Sequence, residues 1–160
     1  MKRSALLVLS LMGGAHAAPY DDLLIALERA QRRILIFAPS LYDVELAEAI
    51  RRARLDSIRK VNVRVLSVPF YNYQPGSVML SLALAGVPVY EAQVPSTGGI
   101  IVVDDQGWKG DYLGRFTNTA LVPMKAGEIN KTLGWFKSSL KGANVLTQVE
   151  AFERLKKVTP

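Results

Sequence analysis

The chain has 160 residues, 20 Lys and Arg against 14 Asp and Glu, a formal charge of +6, no cysteine and a single histidine, His16. Zero cysteines exclude disulfides and thiol chemistry, so stability must come from packing. The length suits one domain with a core and leaves two independent domains crowded. The positive balance permits nucleic acid or anionic lipid as a partner without requiring either.

In chain order, Lys2 and Arg3, the apolar run SALLVLSLM and the small-x-small site Ala15-His16-Ala17 read as a secretory signal over 1–17. Cleavage there leaves 18–160 as the single mature domain, exported to the periplasm or secreted, and removes its only imidazole. The apolar run is shorter than the roughly 20 residues needed to cross a bilayer, so no integral membrane segment is expected in the mature chain.

Tyr20, Leu23, Leu24, Leu27 and Ala30 recur at helical spacing behind Asp21 and Asp22, which predicts a surface helix. Ile34 to Ala38 is a short continuous apolar run suited to a strand covered on both faces. Ser40 and Asp43 read as a capping box before a helix carrying Leu46, Ile50 and Ala53 inward. Val61, Val63 and Val65 alternate as a second strand, followed by the loop Pro69 to Gly76. A third helix is expected over about 77–85, stopped by Gly86, before the strand VPVY. Gly99 to Val103 and Trp108 to Leu113 flank the turn Asp104-Asp105-Gln106-Gly107 as a hairpin. Ile129, Leu133, Phe136 and Leu140 mark a long helix ending at Gly142, and 145–155 a last amphipathic helix with Lys156 and Lys157 fraying beyond it. Strand and helix alternation of this kind predicts an α/β fold with a mixed sheet flanked by helices.

The segments ILIFAPSLYDVELAEAIRRA, KVNVRVLSV and ALAGVPVY, in this order, resemble the first strands and helix of a single phospholipase D-like domain, in the form of the small exported endonucleases of that superfamily. The resemblance covers nearly all of the chain after residue 17. The family motif is His-x-Lys, four residues, then Asp, followed by a Gly-Ser turn and a nearby Asn. In the best register Thr97 stands at the histidine, Gly99 at the lysine and Asp104 at the aspartate. Gly114 then matches the turn glycine, Arg115 replaces the serine, and Asn118 lies one residue off the asparagine position.

The resemblance implies an active site built from two motif copies, often by dimerisation, with histidines as nucleophile and general acid. A threonine with no neighbouring imidazole cannot act as either near neutral pH, and a glycine carries no charge for phosphate. A homodimer would supply two copies of the same altered site. The chain is therefore expected to be a non-catalytic, degenerate member that retains phosphate or nucleic-acid binding, with DNA or RNA, a protein or a second copy as partner.

Arg115, with a guanidinium suited to bidentate anion binding, is the first candidate for phosphate, and Thr97, Thr117, Asn118 and Lys109 are its candidate neighbours. A solvent-facing turn arginine is the plainer reading. Phe70, Tyr71 and Tyr73 either stack on exposed bases or pack beneath their loop. Arg51, Arg52, Arg54, Arg59 and Lys60 are candidates for contacts to a nucleic-acid backbone, or merely solvate a helix. Asp104, Asp105 and Asp111 suggest a metal-dependent phosphodiesterase, but a hairpin turn explains the first two, no calcium-loop spacing is present, and neither metal nor cofactor is expected. GxSxG, GxGxxG and Walker patterns are absent. An envelope protein-interaction or assembly domain is the main alternative function.

Overall fold

The first strand, β1 (Arg33–Phe37), alternates its side chains between two cores: Ile34 and Ile36 enter one apolar cluster, Leu35 and Phe37 the other. A strand apolar on both faces needs cover on both, and the chain supplies it unequally. In the computed structural model, which describes residues 19–95, 98–114 and 121–158, the larger cluster lies under helices α1 (Pro19–Arg29), α2 (Val44–Leu55), α4 (Met79–Leu84) and α6 (Gln148–Val158). Among the described residues, the smaller cluster lies under α5 (Ala126–Leu140) alone, through Trp135, Phe136 and Leu140.

The remaining described elements are β2 (Asn62–Ser67), the single turn α3 (Pro69–Asn72), β3 (Val89–Glu91), β4 (Gly99–Val103), β5 (Gln106–Gly110), β6 (Val122–Pro123) and β7 (Asn144–Val145). The described strands form one mixed sheet in the order β6-β5-β4-β1-β2-β3-β7. The central β1, β2 and β3 are parallel, with Ile36 opposite Val65 and Val65 opposite Val89, and the outer strands pair antiparallel. The crossovers α2 and α4 are what parallel neighbours require, since a tight turn cannot join them. The expected α/β fold with a mixed, helix-flanked sheet is the one observed.

Four local expectations need correction. Helix α2 starts one turn later than the Ser40 capping box implies: Asp43 is itself the N-cap, its carboxylate accepting the Leu46 N–H at 2.8 Å. The β4–β5 hairpin turns on two residues, Asp104 and Asp105, so Gln106 and Gly107 belong to β5. Asp104 takes φ 51°, a left-handed conformation that aspartate tolerates better than most residues. Val145 pairs with Tyr90 as an edge strand, and α6 begins only at Gln148 and runs on through Lys156 and Lys157. Thr147 and Glu150 bond reciprocally, the Glu150 N–H to Thr147 Oγ1 at 3.2 Å and the Thr147 N–H to Glu150 Oε2 at 3.0 Å. That capping box, Thr-x-x-Glu, was available in the sequence as the start signal for α6. The shorter α4 ends as expected, with Gly86 at φ 81°.

Asp104 also closes the sheet. Its Oδ1 accepts the N–H groups of Arg32 at 2.9 Å and Arg33 at 3.0 Å, and its Oδ2 that of Gln31 at 2.9 Å, which fixes the entry to β1. Burial opposes its charge, but the Arg33, Gln31 and Arg32 amides, with the Arg32 guanidinium, hold its carboxyl below the usual range. A depressed folded value means that the stabilisation is present above the unfolded carboxylate value of about 4 and is lost as pH falls through the folded one. Asp104→Asn is expected to lower stability at pH 7 by about 1 kcal/mol, discounted for solvent screening. Below about pH 4 its melting temperature should converge on that of the wild type. Denaturation followed by circular dichroism from pH 7 to pH 2.5 checks this; a constant deficit across the range would contradict it.

Candidate functional site

Parallel strands leave a crevice beyond their carboxyl ends, where α/β folds commonly bind ligands. Here a cavity of about 210 Å³ opens past β1, lined by Ala38, Pro39, Ser40, Tyr71, Gly99, Asp111, Tyr112 and Leu113. Gly99, which the sequence register sets at the motif lysine, is one of its walls. A Cβ built on Gly99 would stand 2.5 Å from Leu113 Cγ and within 3.2 Å of both Leu113 methyls. The space a side chain at 99 would need is thus occupied by Leu113, which is 1% exposed. Gly114 is equally constrained, since its Cβ would meet Tyr112 Cε1 at 2.9 Å and Asp43 Cβ at 3.0 Å.

Beside the crevice, buried Asp43 accepts a 2.8 Å bond from the Tyr20 hydroxyl while it caps α2, joining two helices at one carboxylate. Tyr112 stacks on Tyr42 with centroids 6.0 Å apart. Burial, and then the charges of Tyr42 and Asp43, push the Tyr112 hydroxyl above its ordinary value against a backbone hydrogen bond from Tyr42. No imidazole, thiol or lysine lines this crevice among the described residues.

The loop after β2 presents aromatic rings outward. Phe70 is 67% exposed and Tyr71 43%, the two rings meeting edge to face at 5.4 Å, and Tyr71 forms part of the crevice wall. Tyr73, also exposed, lies under the Arg154 guanidinium at 5.1 Å from the ring centroid. Asn72 does the opposite: it is buried, and its Nδ2 donates to Ser67 Oγ at 2.9 Å and to Glu91 Oε1 at 2.6 Å. Glu91 in turn takes both oxygens to Arg154 Nη1, at 2.7 and 2.8 Å. This network, tying α3 and the ends of β2 and β3 to α6, escaped the sequence reading. Ser67, Asn72, Glu91 and Arg154 carry no mutual spacing signal.

The other candidates are dispersed. Thr97, Arg115, Thr117 and Asn118 lie outside the described residues, as do residues 1–17, where the sequence predicts a leader. Lys109 is not among the crevice residues; its ammonium contacts Glu128 of α5 at 2.5 Å. Arg51 pairs with Glu48 at 2.6 Å, Arg54 donates to the Gly86 carbonyl, and Arg59 binds Asp56 at 2.7 Å and the carbonyls of Glu28 and Ala30. Lys60 sits in a left-handed turn at φ 51°, and Arg52 is exposed. This basic run flanks the carboxyl end of α2, about 18 Å of helix from the Asp43 cap beside the crevice.

Asp104 and Asp105 are likewise engaged, Asp105 by Arg32 and by Arg33 at 3.6 Å, while Asp111 lies beyond the opposite end of β5. Among the described residues, no group of three or more acids, histidines or cysteines converges to hold a metal ion.

No protein-family model and no curated protein matches the chain. Solved structures do match in fold. Nuc from Salmonella typhimurium, described as a phospholipase D family member, superposes with a TM-score of 0.64 at 18% identity over 79% of this chain and 90% of its own. NucT from Helicobacter pylori gives 0.64 at 16% identity over 78% and 89%. TrmBL2, an archaeal chromatin protein described as having a novel mode of DNA binding, gives 0.54 at 16% identity over 77% of this chain and 49% of its own. With this strand order and this coverage, the chain has the phospholipase D-like fold in its single-domain, Nuc-like form.

Proposed function

We propose that the protein is an exported, catalytically degenerate phospholipase D-like domain that binds single-stranded nucleic acid along its crevice. The observation that carries this reading is the exposed Phe70–Tyr71 pair at the mouth of a crevice in which Leu113 fills the space beside Gly99. Exposed rings offer bases a sequence-tolerant stacking surface, and the loss of both nucleophile and phosphate lysine removes cleavage while leaving the cleft. Arg115, which follows Gly114 in the chain, is assigned the phosphate, with Thr97, Thr117 and Asn118 as hydrogen-bonding neighbours. The DNA-binding description of TrmBL2 agrees with a nucleic-acid partner on this fold. Export rests on the leader over 1–17.

Fluorescence-anisotropy titration with short single- and double-stranded DNA and RNA, at low and high salt, tests the reading. Single strands are expected to bind more tightly than duplexes, with affinity falling as salt rises because phosphate contacts release counterions. Removing both rings in Phe70→Ala/Tyr71→Ala should weaken binding at least tenfold, given about 1–3 kcal/mol per stacked base. Arg115→Ala should lower the salt slope by about one contact. Binding indifferent to salt, to R115A and to the aromatic pair would sink the proposal.

In that event an envelope interaction domain takes its place, for which Val149 and Phe152, 73% and 52% exposed on α6, supply a surface.

A further inference from the structure

Helix α5 leaves part of its sheet face open. Between it and the starts of β1 and β2 runs a groove of about 370 Å³, at the lower end of the range typical of small-ligand sites. Its walls are aliphatic: Leu35 from the sheet, and Leu133 and Leu140 from α5, each partly exposed, above buried Phe136. Its rim is basic, with Arg33, Arg64, Lys137 and Lys141, and no carboxylate belongs to the lining.

Arg33 is already engaged, through Asp105 and the Asp104 carbonyl. The other three have no carboxylate partner among the described residues, and Arg64 makes only a 3.3 Å bond to the Asn62 side chain. Lys137 and Lys141 are four apart on one helix, where like charges repel. The helix C-terminus favours cations there, which accounts for the two lysines on α5 but not for Arg64 on the strand facing them.

Three cations around an apolar slot form the complement of one ligand class, and we infer that this groove binds a single-chain aliphatic anion, its phosphate or carboxylate on Arg64, Lys137 and Lys141 and its tail along Leu35, Leu133 and Leu140. The walls select an alkyl chain over a nucleobase, because the only ring in the lining, Phe136, is 2% exposed and offers no face for stacking. Leu35, Leu133 and Leu140 are each only partly exposed, which offers cover to a single chain and little apolar area to a bilayer. It is a different site from the crevice: Leu35 and Phe136 belong to the smaller core, whereas Leu113 beside Gly99 belongs to the larger one.

Isothermal titration of the full chain with decyl phosphate, kept below its micellar concentration, reads the site directly, with inorganic phosphate and a neutral decyl glucoside as companions. Decyl phosphate is expected to bind one to one, at least tenfold more tightly than either companion. Arg64→Ala/Lys137→Ala should weaken it tenfold or more, and Leu133→Trp, which fills the slot without touching a charge, should do the same. Arg52→Ala, on the other side of the sheet, should leave it unchanged, and a thermal melt of each variant confirms folding. Equal affinity for inorganic phosphate, or binding that survives both groove variants, would overturn the inference. So would displacement of decyl phosphate by an oligonucleotide whose own binding is lost in R64A/K137A, which would make the groove a nucleic-acid contact. Loss of oligonucleotide binding in the Phe70, Tyr71 or Arg115 variants with decyl phosphate binding intact would separate the two sites.

Discussion

Placing a lysine at position 99 on its own will cost stability and confer no cleavage. The Cβ alone would fall 2.5 Å from Leu113 Cγ, far inside contact distance, so Leu113 or the strand must move. Overpacking of this kind costs about 1–3 kcal/mol, and at roughly 4 °C per kcal/mol for a chain of this size the melting point of Gly99→Lys should fall visibly. Leu113→Ala alone should cost about 2–5 kcal/mol, because it empties a fully buried site. The double variant is the informative one. With Leu113 shortened, the new side chain has the volume it lacked, so the loss in the double variant should fall short of the sum of the two single losses by at least about 1 kcal/mol in a double-mutant cycle. Strict additivity would show that Leu113 is not what closes position 99. On the degenerate reading proposed above, no variant in this set should hydrolyse a phosphodiester, since a charge for phosphate does not replace a nucleophile.

Arg154→Ala is expected to be the most damaging single change at a polar residue. Glu91 is 5% exposed, and Arg154 contacts both of its oxygens. Removing the arginine strands a buried carboxylate with, among the described residues, only Asn72 Nδ2 as a donor, and such losses run to about 3–5 kcal/mol. Glu91→Gln should cost much less, because its amide oxygen can still accept from Asn72 and the partly exposed Arg154 can turn to water. Urea titration of the two variants therefore predicts an asymmetry across a single ion pair, with R154A the worse by about 2 kcal/mol or more. Equal losses would place the stabilisation in the contact itself and not in relief of a buried charge. R154A should also weaken oligonucleotide binding beyond its effect on folding, since Asn72 anchors the turn that presents Phe70 and Tyr71.

The main strands and helices were legible because each is a local pattern. Ile34 to Ala38, the Val61-Val63-Val65 alternation and the Ile129-Leu133-Phe136-Leu140 spacing each report an apolar face within one element, and that face is what places the element on the sheet. The misread boundaries were decided by competition between neighbouring polar groups. Ser40 and Asp43 both suit an N-cap, and Asp43 takes it while also accepting from Tyr20, 23 residues away. The short strands β6 and β7 were invisible because two residues carry no periodicity, and their pairing depends on the strand beside them.

The sequence by itself determined the fold class, the order of its main elements and the absence of histidine after residue 16, because composition and short-range periodicity are properties of the chain. Tertiary structure decided whether position 99 leaves room for a side chain. Gly99 is closed by Leu113, 14 residues on, and that meeting depends on how the β4–β5 hairpin returns. The same holds for Glu91, Asn72 and Arg154, and for the cations that face each other across the α5 groove. Each of these arrangements joins residues from separate elements, so its energy exists only once the sheet has brought them within a few ångströms.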